Sequence, residues 1–190
     1  MATLAPPRLL TAEEFYKLPD PKHGGKMELV RGEVVVHMPV GGSHGRLALR
    51  LGTEFELFDR RHHIGSFGVE VGFRLARNPD LVLSPDVHFV RSSRLADGRH
   101  MPPAFFPDYP DLAVEIVSPD DTAKEVADKV AAYLAARAPR VWVVRPEGQT
   151  VTVHRQGGDI RTLGLGDVLT SDDAGFEIDG FELALDELFA

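Results

Sequence analysis

The stretch that most constrains this chain is Leu112-Ala-Val-Glu-Ile-Val, a nearly continuous apolar run closed by Ser118-Pro119. A run of that kind, without polar alternation, is typical of a strand covered on both faces. Behind it Val126, Val130, Tyr133 and Leu134 form one helical stripe, with Pro119 and Asp120-Asp121 at its start and Pro139 at its end. Val141-Trp-Val-Val follows as a second apolar run, so the sequence predicts a strand, helix, strand unit. Glu115 interrupts the first run. A carboxylate buried in an apolar strand is costly unless it is paired or binds a cation. Since Ser118-Pro119 marks the strand end, Glu115 sits near a C-terminal sheet edge, where open α/β sheets place ligands.

The other elements are legible by the same signals. Thr11 with Glu14 three residues on is a capping box for a short helix ended by Pro19, expected to pack on the edge of the main sheet. Lys26-Met-Glu-Leu-Val and Glu33-Val-Val-Val, separated by Arg31-Gly32, predict a hairpin. Leu47, Leu51, Phe55 and Phe58 predict a long amphipathic helix from Ser43, read as its cap, to about His62. Residues 68–75 alternate like one strand, and Asp86-Val-His-Phe-Val gives another after a loop at Asn78-Pro79-Asp80. Arg91 to Pro110 is polar and proline-rich, a long loop. Thr150 to Arg155, Ile160 to Leu163 and Phe176 to Leu183 are expected as strands of a meander, before a short helix from Leu185 to Phe189. With 190 residues, one domain spanning 1–190 is expected.

Composition removes several chemistries. No cysteine is present, which excludes disulfides, thiolate zinc sites and cysteine nucleophiles and leaves oxygen or imidazole to hold any metal. Histidines 62, 63, 88, 100 and 154 offer no spaced pair on one helix for zinc. Gly41-Gly42-Ser43-His44 lacks the lysine of a phosphate-binding loop, and no Gly-x-Ser-x-Gly elbow occurs. Met1 to Leu10 holds two prolines and no apolar run of secretory or membrane-spanning length, so a cytoplasmic address without membrane contact is expected. The formal net charge of -8 counts against tight general binding of nucleic acid, although a carboxylate metal site carries its charge only until the cation arrives. Arg60-Arg61-His62-His63 and the arginines from Arg91 to Arg99 read first as solvated surface.

Asp86 follows Pro85 at the start of its own apolar strand. Brought beside Glu115 on a neighbouring strand, it would repel that carboxylate unless a divalent cation lay between them. Carboxylates suit Mg2+ or Mn2+, and the backbone carbonyl of Ile116 is a reasonable third oxygen. Such a set leaves positions for water and a phosphate oxygen, as phosphodiester hydrolysis needs. Lys129 lies about two turns into the following helix. From there it can reach back to orient water or to stabilise charge on the phosphate, or else pair with Glu125 four residues earlier. Asp120 and Asp121 read first as caps. Glu70 alternates with Val69 and Val71, which does not say which way it faces.

Pro85-Asp86, then Glu115-Ile-Val-Ser-Pro, Asp128-Lys129 with Tyr133, and Val141-Trp-Val-Val-Arg-Pro form an ordered set. Together with Glu28-Leu-Val-Arg-Gly-Glu and His44, this set resembles the Uma-type family of putative restriction endonucleases in the PD-(D/E)XK nuclease superfamily. The resemblance covers most of the chain. It implies a mixed α/β fold: a central mixed sheet flanked by helices, with the N-terminal hairpin and the C-terminal meander attached. Asp86 and Glu115 would be metal ligands. Val117 stands where the superfamily's usual Glu-x-Lys has its lysine, and Lys129 matches a placement moved onto the helix. Glu28 is a supporting candidate because many nucleases of this fold bring an early glutamate towards the metal; the alternative is an outward-facing strand residue. His44 either contacts a phosphate or helps to cap its helix.

The expected function is therefore a Mg2+-dependent endonuclease acting on DNA. Its rival is a nuclease-fold module without turnover that binds nucleic acid or protein. A third possibility, a structural subunit, requires Glu115 to be satisfied by an arginine or by backbone donors. A homodimer is expected because cutting both strands needs two sites, with Trp142 or the C-terminal meander supplying apolar contact.

Overall fold

The computed structural model describes residues 8–190, so most of the reading of Met1 to Leu10 lies outside the described residues. In chain order the elements are α1 (Ala12–Phe15), β1 (Lys26–Val30), β2 (Glu33–His37), α2 (Gly42–His62), β3 (Gly65–Gly68), β4 (Phe73–Ala76), β5 (Leu81–Leu83) and β6 (Val87–Arg91). They continue with β7 (Leu112–Ile116), α3 (Ala123–Ala135), β8 (Arg140–Arg145), β9 (Thr150–Arg155), β10 (Ile160–Leu163), β11 (Val168–Thr170), α4 (Ser171–Ala174), β12 (Glu182–Ala184) and α5 (Leu185–Phe189). The central sheet has six strands in the order β10-β9-β8-β7-β6-β3, and only β7 and β8 run parallel. A helix is needed to reverse the chain between parallel neighbours, and α3 supplies it. A second, antiparallel sheet has the order β2-β1-β5-β4. This is the mixed sheet with flanking helices that the resemblance implies.

The two faces of the central sheet are separated by strand alternation. Val87, Phe89, Leu112, Val114, Ile116, Trp142 and Val144 point into a core with Leu47, Leu51, Phe55 and Phe58 of α2 and the C-terminal elements. Ala113, Val141 and Val143 point the other way, onto Val126, Val130 and Tyr133 of α3. Fully burying such a side chain contributes about 1.5–3 kcal/mol, so both helices are held mainly by these stripes. The residues on the α3 side of β6 and β7, including Asp86 and Glu115, therefore face α3.

Several local expectations need correction. Gly41, not Ser43, is the N-cap of α2, and no side chain caps that end. The N-cap of α3 is Thr122 in a capping box with Glu125, while Asp121 accepts from the Ser118 amide in the turn before it. The single strand expected over 68–75 is two strands in different sheets. Glu70 adopts a left-handed φ of 54°, is exposed, and lies where the chain leaves β3 for β4. Gly72 follows because a Cβ there would lie 2.4 Å from the Phe105 ring. β5 follows the loop at Asn78-Pro79-Asp80 as a strand not expected from the sequence. Residues 176–181 form no strand; Phe176 and Phe181 instead pack in the core, and β11 and β12 make a separate two-stranded sheet. Helix α1 packs on Leu29 and Val82 of the smaller sheet, not on the central one. Trp142 is fully buried and donates its indole N–H to the Asp173 carbonyl at 2.8 Å, so it cannot contact a second subunit. Among the described residues no helix is long and apolar enough to cross a membrane.

Candidate functional site

The antiparallel register pairs Val87 with Val114, so the next step along it sets Asp86 opposite Glu115. Side chains directly opposite on one sheet face have Cβ atoms about 5 Å apart. The Ile116 amide donates to Asp86 Oδ2 at 2.7 Å, which fixes the first carboxylate against the strand that carries the second. Helix α3 then crosses above. Its Lys129 and Tyr133, one turn apart on the same face, both reach Glu115: the Lys129 Nζ is 3.0 Å from Oε2, and the Tyr133 hydroxyl donates to Oε1 at 2.8 Å. Lys129 pairs with Glu115, not with Glu125, whose carboxylate instead closes the capping box at Thr122.

The smaller sheet contributes a third carboxylate. On β1, Met27 and Leu29 pack under α1, so Lys26 and Glu28 take the opposite face. Glu28 is 1% exposed, and its Oε1 accepts the Ser84 amide at 3.0 Å. The Lys129 Nζ lies 3.3 Å from Glu28 Oε2, and His37, across the hairpin, is 2.8 Å from the same oxygen. Lys26 donates to the Ser84 carbonyl at 2.7 Å and lies 3.1 Å from Asp86 Oδ1. His44, in the first turn of α2, brings its Nε2 to 3.2 Å from Asp86 Oδ2. Asp86, Glu115, Ile116, Lys129, Lys26, His37 and His44 all line one open cleft of about 280 Å³.

The charges in this cleft are unevenly compensated. Burial opposes ionisation of Asp86, but the His44 hydrogen bond, the Lys26 charge and the Ile116 amide outweigh it and bring the carboxyl down to about 2. Glu28 is likewise lowered to about 2, with burial overcome by His37, Lys129 and Lys26. Glu115 goes the other way: burial raises its pKa, Lys129 offsets only part, and the Asp86 charge adds to the rise. Lys129 is raised, since Glu115 and Glu28 outweigh its burial, and burial together with Glu115 raises the Tyr133 hydroxyl, which stays a donor. His44 is raised because Asp86 outweighs its burial.

The oxygen donors of Asp86, Glu115 and the strand backbone beside them are of the kind that suits a hard divalent cation, and the pKa of Glu115 is raised first by its burial. Among the described residues no three or more His, Asp or Glu side chains stand as a metal-ligating group. A cation here would therefore draw on Asp86, Glu115 and a backbone oxygen such as that of Ile116, with water or phosphate completing its shell.

Sequence reading did not single out Lys26, His37 or the Ser84 backbone, and gave Tyr133 no bond to Glu115. Signals for three of them exist: Lys26 is two residues from Glu28 on the same strand face, the Arg31-Gly32 turn sets Lys26 opposite His37, and Tyr133 is four residues after Lys129. Glu70 and Asp120 are exposed and do not line this set of contacts as donors or acceptors, although Asp120 borders the cleft. Of the basic clusters, Arg91 and Arg94 are committed to Asp111, and Arg60 pairs with Glu56.

A family model described as "Uma2: Putative restriction endonuclease" matches residues 12–185. The fold is similar to that in the crystal structure of a putative nuclease belonging to DUF820 from Anabaena variabilis ATCC 29413. The TM-score is 0.74, with 23% sequence identity and coverage of 95% of this chain and 97% of that one. No curated protein matches.

Proposed function

This chain belongs to the Uma2 family of putative restriction endonucleases, and on that premise we propose that it is a Mg2+-dependent endonuclease that hydrolyses DNA phosphodiester bonds. The observation that carries the reading is the placement of Asp86 opposite Glu115 at the ends of two interior strands, with Lys129 of α3 turned onto Glu115. Asp86, Glu115 and the Ile116 carbonyl would hold Mg2+, or Mn2+ in its place. The bound cation supplies an activated water and a Lewis-acid partner for the phosphoryl oxygen.

The protein's own groups do the remaining work. Asp86, ionised well below neutral pH and locked by the Ile116 amide, offers a fixed anionic oxygen. Lys129 carries a permanent positive charge at the cleft wall, placed to stabilise negative charge developing on a phosphate. Tyr133 holds the Glu115 carboxylate by its Oε1, leaving Oε2 as the oxygen that Lys129 shares. Glu28 anchors Lys129 from the other side. His44 supports Asp86 and lines the cleft where a phosphate would pass.

Nicking of supercoiled plasmid in Mg2+ or Mn2+ tests this. Asp86→Ala and Lys129→Met are each expected to lose at least about 100-fold in rate, the scale of losing one preorganised electrostatic group. Equal nicking by wild type and Asp86→Ala would sink the assignment. A second reading, a binding module of the same fold without turnover, draws on Val117 at the usual lysine position; it predicts metal and DNA binding with no nicking by any of these proteins. Cutting both strands calls for a homodimer. With Trp142 buried, the edge strand β10, where Ile160 is 60% exposed, is one part of the C-terminal region that could supply apolar contact.

A further inference from the structure

Lys26 lines the cleft, and the functional reading gives it no task. Its side chain is 16% exposed, and its ammonium binds two things, the Ser84 carbonyl at 2.7 Å and Asp86 Oδ1 at 3.1 Å. The other oxygen of Asp86 already takes the Ile116 amide and faces His44. Oδ1 therefore has Lys26 as its partner, and it is the oxygen least committed to holding the fold together.

We propose that Lys26 is a resident cation that occupies Asp86 in the free protein and yields it when a divalent cation and a phosphate arrive, its ammonium passing from the carboxylate to the phosphate. The inference rests on the metal reading given above. An ammonium and a divalent cation on one carboxylate oxygen repel, so each weakens the binding of the other there. The transfer needs no large movement, because an ammonium has three donors on a flexible four-carbon stem and can exchange one acceptor while keeping another. The acceptor kept is the Ser84 carbonyl, and Ser84 is itself pinned through its amide to Glu28. Lys26 thus has a fixed tether beside a replaceable partner. Lys129 differs: it is shared between two buried carboxylates and has no backbone tether. The consequence is positive linkage, in which cation and phosphate each strengthen the binding of the other. In this scheme Lys26 is a positioning residue in the free protein and a phosphate ligand in the complex.

The measurement is Mn2+ binding to the full chain by electron paramagnetic resonance, without nucleic acid. Lys26→Met is expected to bind Mn2+ at least about tenfold tighter than wild type, a free-energy change of one decade. Lys124→Met, which removes an exposed ammonium paired with Asp128, is expected to change nothing and controls for loss of charge alone. Adding inorganic phosphate should tighten Mn2+ binding by the wild type more than by Lys26→Met. If Lys26→Met binds Mn2+ no more tightly than wild type while Asp86→Ala abolishes binding, this inference is overturned and the metal reading stands. If neither wild type nor Lys26→Met binds Mn2+, both fall. Should Lys26→Met not fold, the wild-type ammonium resonances, assigned by contacts of Lys26 with Ser84 and of Lys129 with Glu115, give the answer. Saturating Mg2+ with phosphate is expected to shift the Lys26 resonance, and an unmoved resonance overturns the inference.

Discussion

Three buried carboxylates, Glu28, Asp86 and Glu115, meet two lysines, and a buried imidazole lies one strand alternation away. His88 shares the sheet face of Asp86, is fully buried, and leaves both ring nitrogens without a partner. Its ring packs edge-on against Phe73 at 5.0 Å, and burial pushes its pKa down to about 4. The unfolded chain takes up this proton near pH 6.5, whereas the folded chain resists it until about pH 4. The stability linked to His88 is therefore complete above about pH 6.5 and is lost as the pH falls towards 4, by about 3 kcal/mol in all. Urea unfolding of wild type and His88→Leu across this range checks it: the difference between the two proteins should change in the variant's favour by that amount on acidification. The lowered carboxyls of Asp86 and Glu28 act in a separate window, below about pH 4. At this scale the sequence was informative about Glu115, because a charge inside an apolar run demands a partner. It was silent on Lys26, since an exposed strand lysine and a buried one look alike until the opposite sheet is in place.

Among the elements that build the site, α3 begins at a cap that fixes its register. The capping box of α3 joins the Thr122 hydroxyl to the Glu125 amide at 3.2 Å and the Glu125 carboxylate to the Thr122 amide at 2.9 Å. Lys129 and Tyr133 lie further along the same helix, so the cap sets where they start. Thr122→Ala is expected to cost about 1 kcal/mol, the usual value for losing such a cap, read as a lower urea midpoint with an unchanged slope. The helices and the hairpin were legible because their periods and turn residues are local. The break at Glu70 to Gly72 and the three-residue β5 were not, because they arise where the chain passes from one sheet to the other. The close approach of Phe105 to Gly72 belongs to that passage, and no local pattern encodes it. The turn before α3 misled for a simpler reason: Asp120, Asp121 and Thr122 are all acceptable caps, and the helix uses the one whose third following residue is a glutamate.

For the whole molecule, a net charge of -8 with several arginines committed to internal pairs leaves little general attraction for a polyanion. Binding of a DNA duplex is then expected to depend on the divalent cation more than on surface lysines. In fluorescence anisotropy, Ca2+ should support binding at least about tenfold tighter than EDTA does, because the cation reverses the sign of the local field; equal affinity in the two buffers would contradict this. The sequence by itself determined the strand, helix, strand unit, the hairpin, the faces of α2 and α3, and the demand of Glu115 for a partner, since hydrophobic period and turn chemistry act over a few residues. Only the tertiary structure decided which groups answer that demand. Lys26, Glu28 and Ser84 come from the smaller sheet, Asp86 and Glu115 from the central one, and Lys129 and Tyr133 from α3. Their meeting depends on how two sheets and a helix pack, which is a matter of long-range burial that no short stretch of the chain can specify.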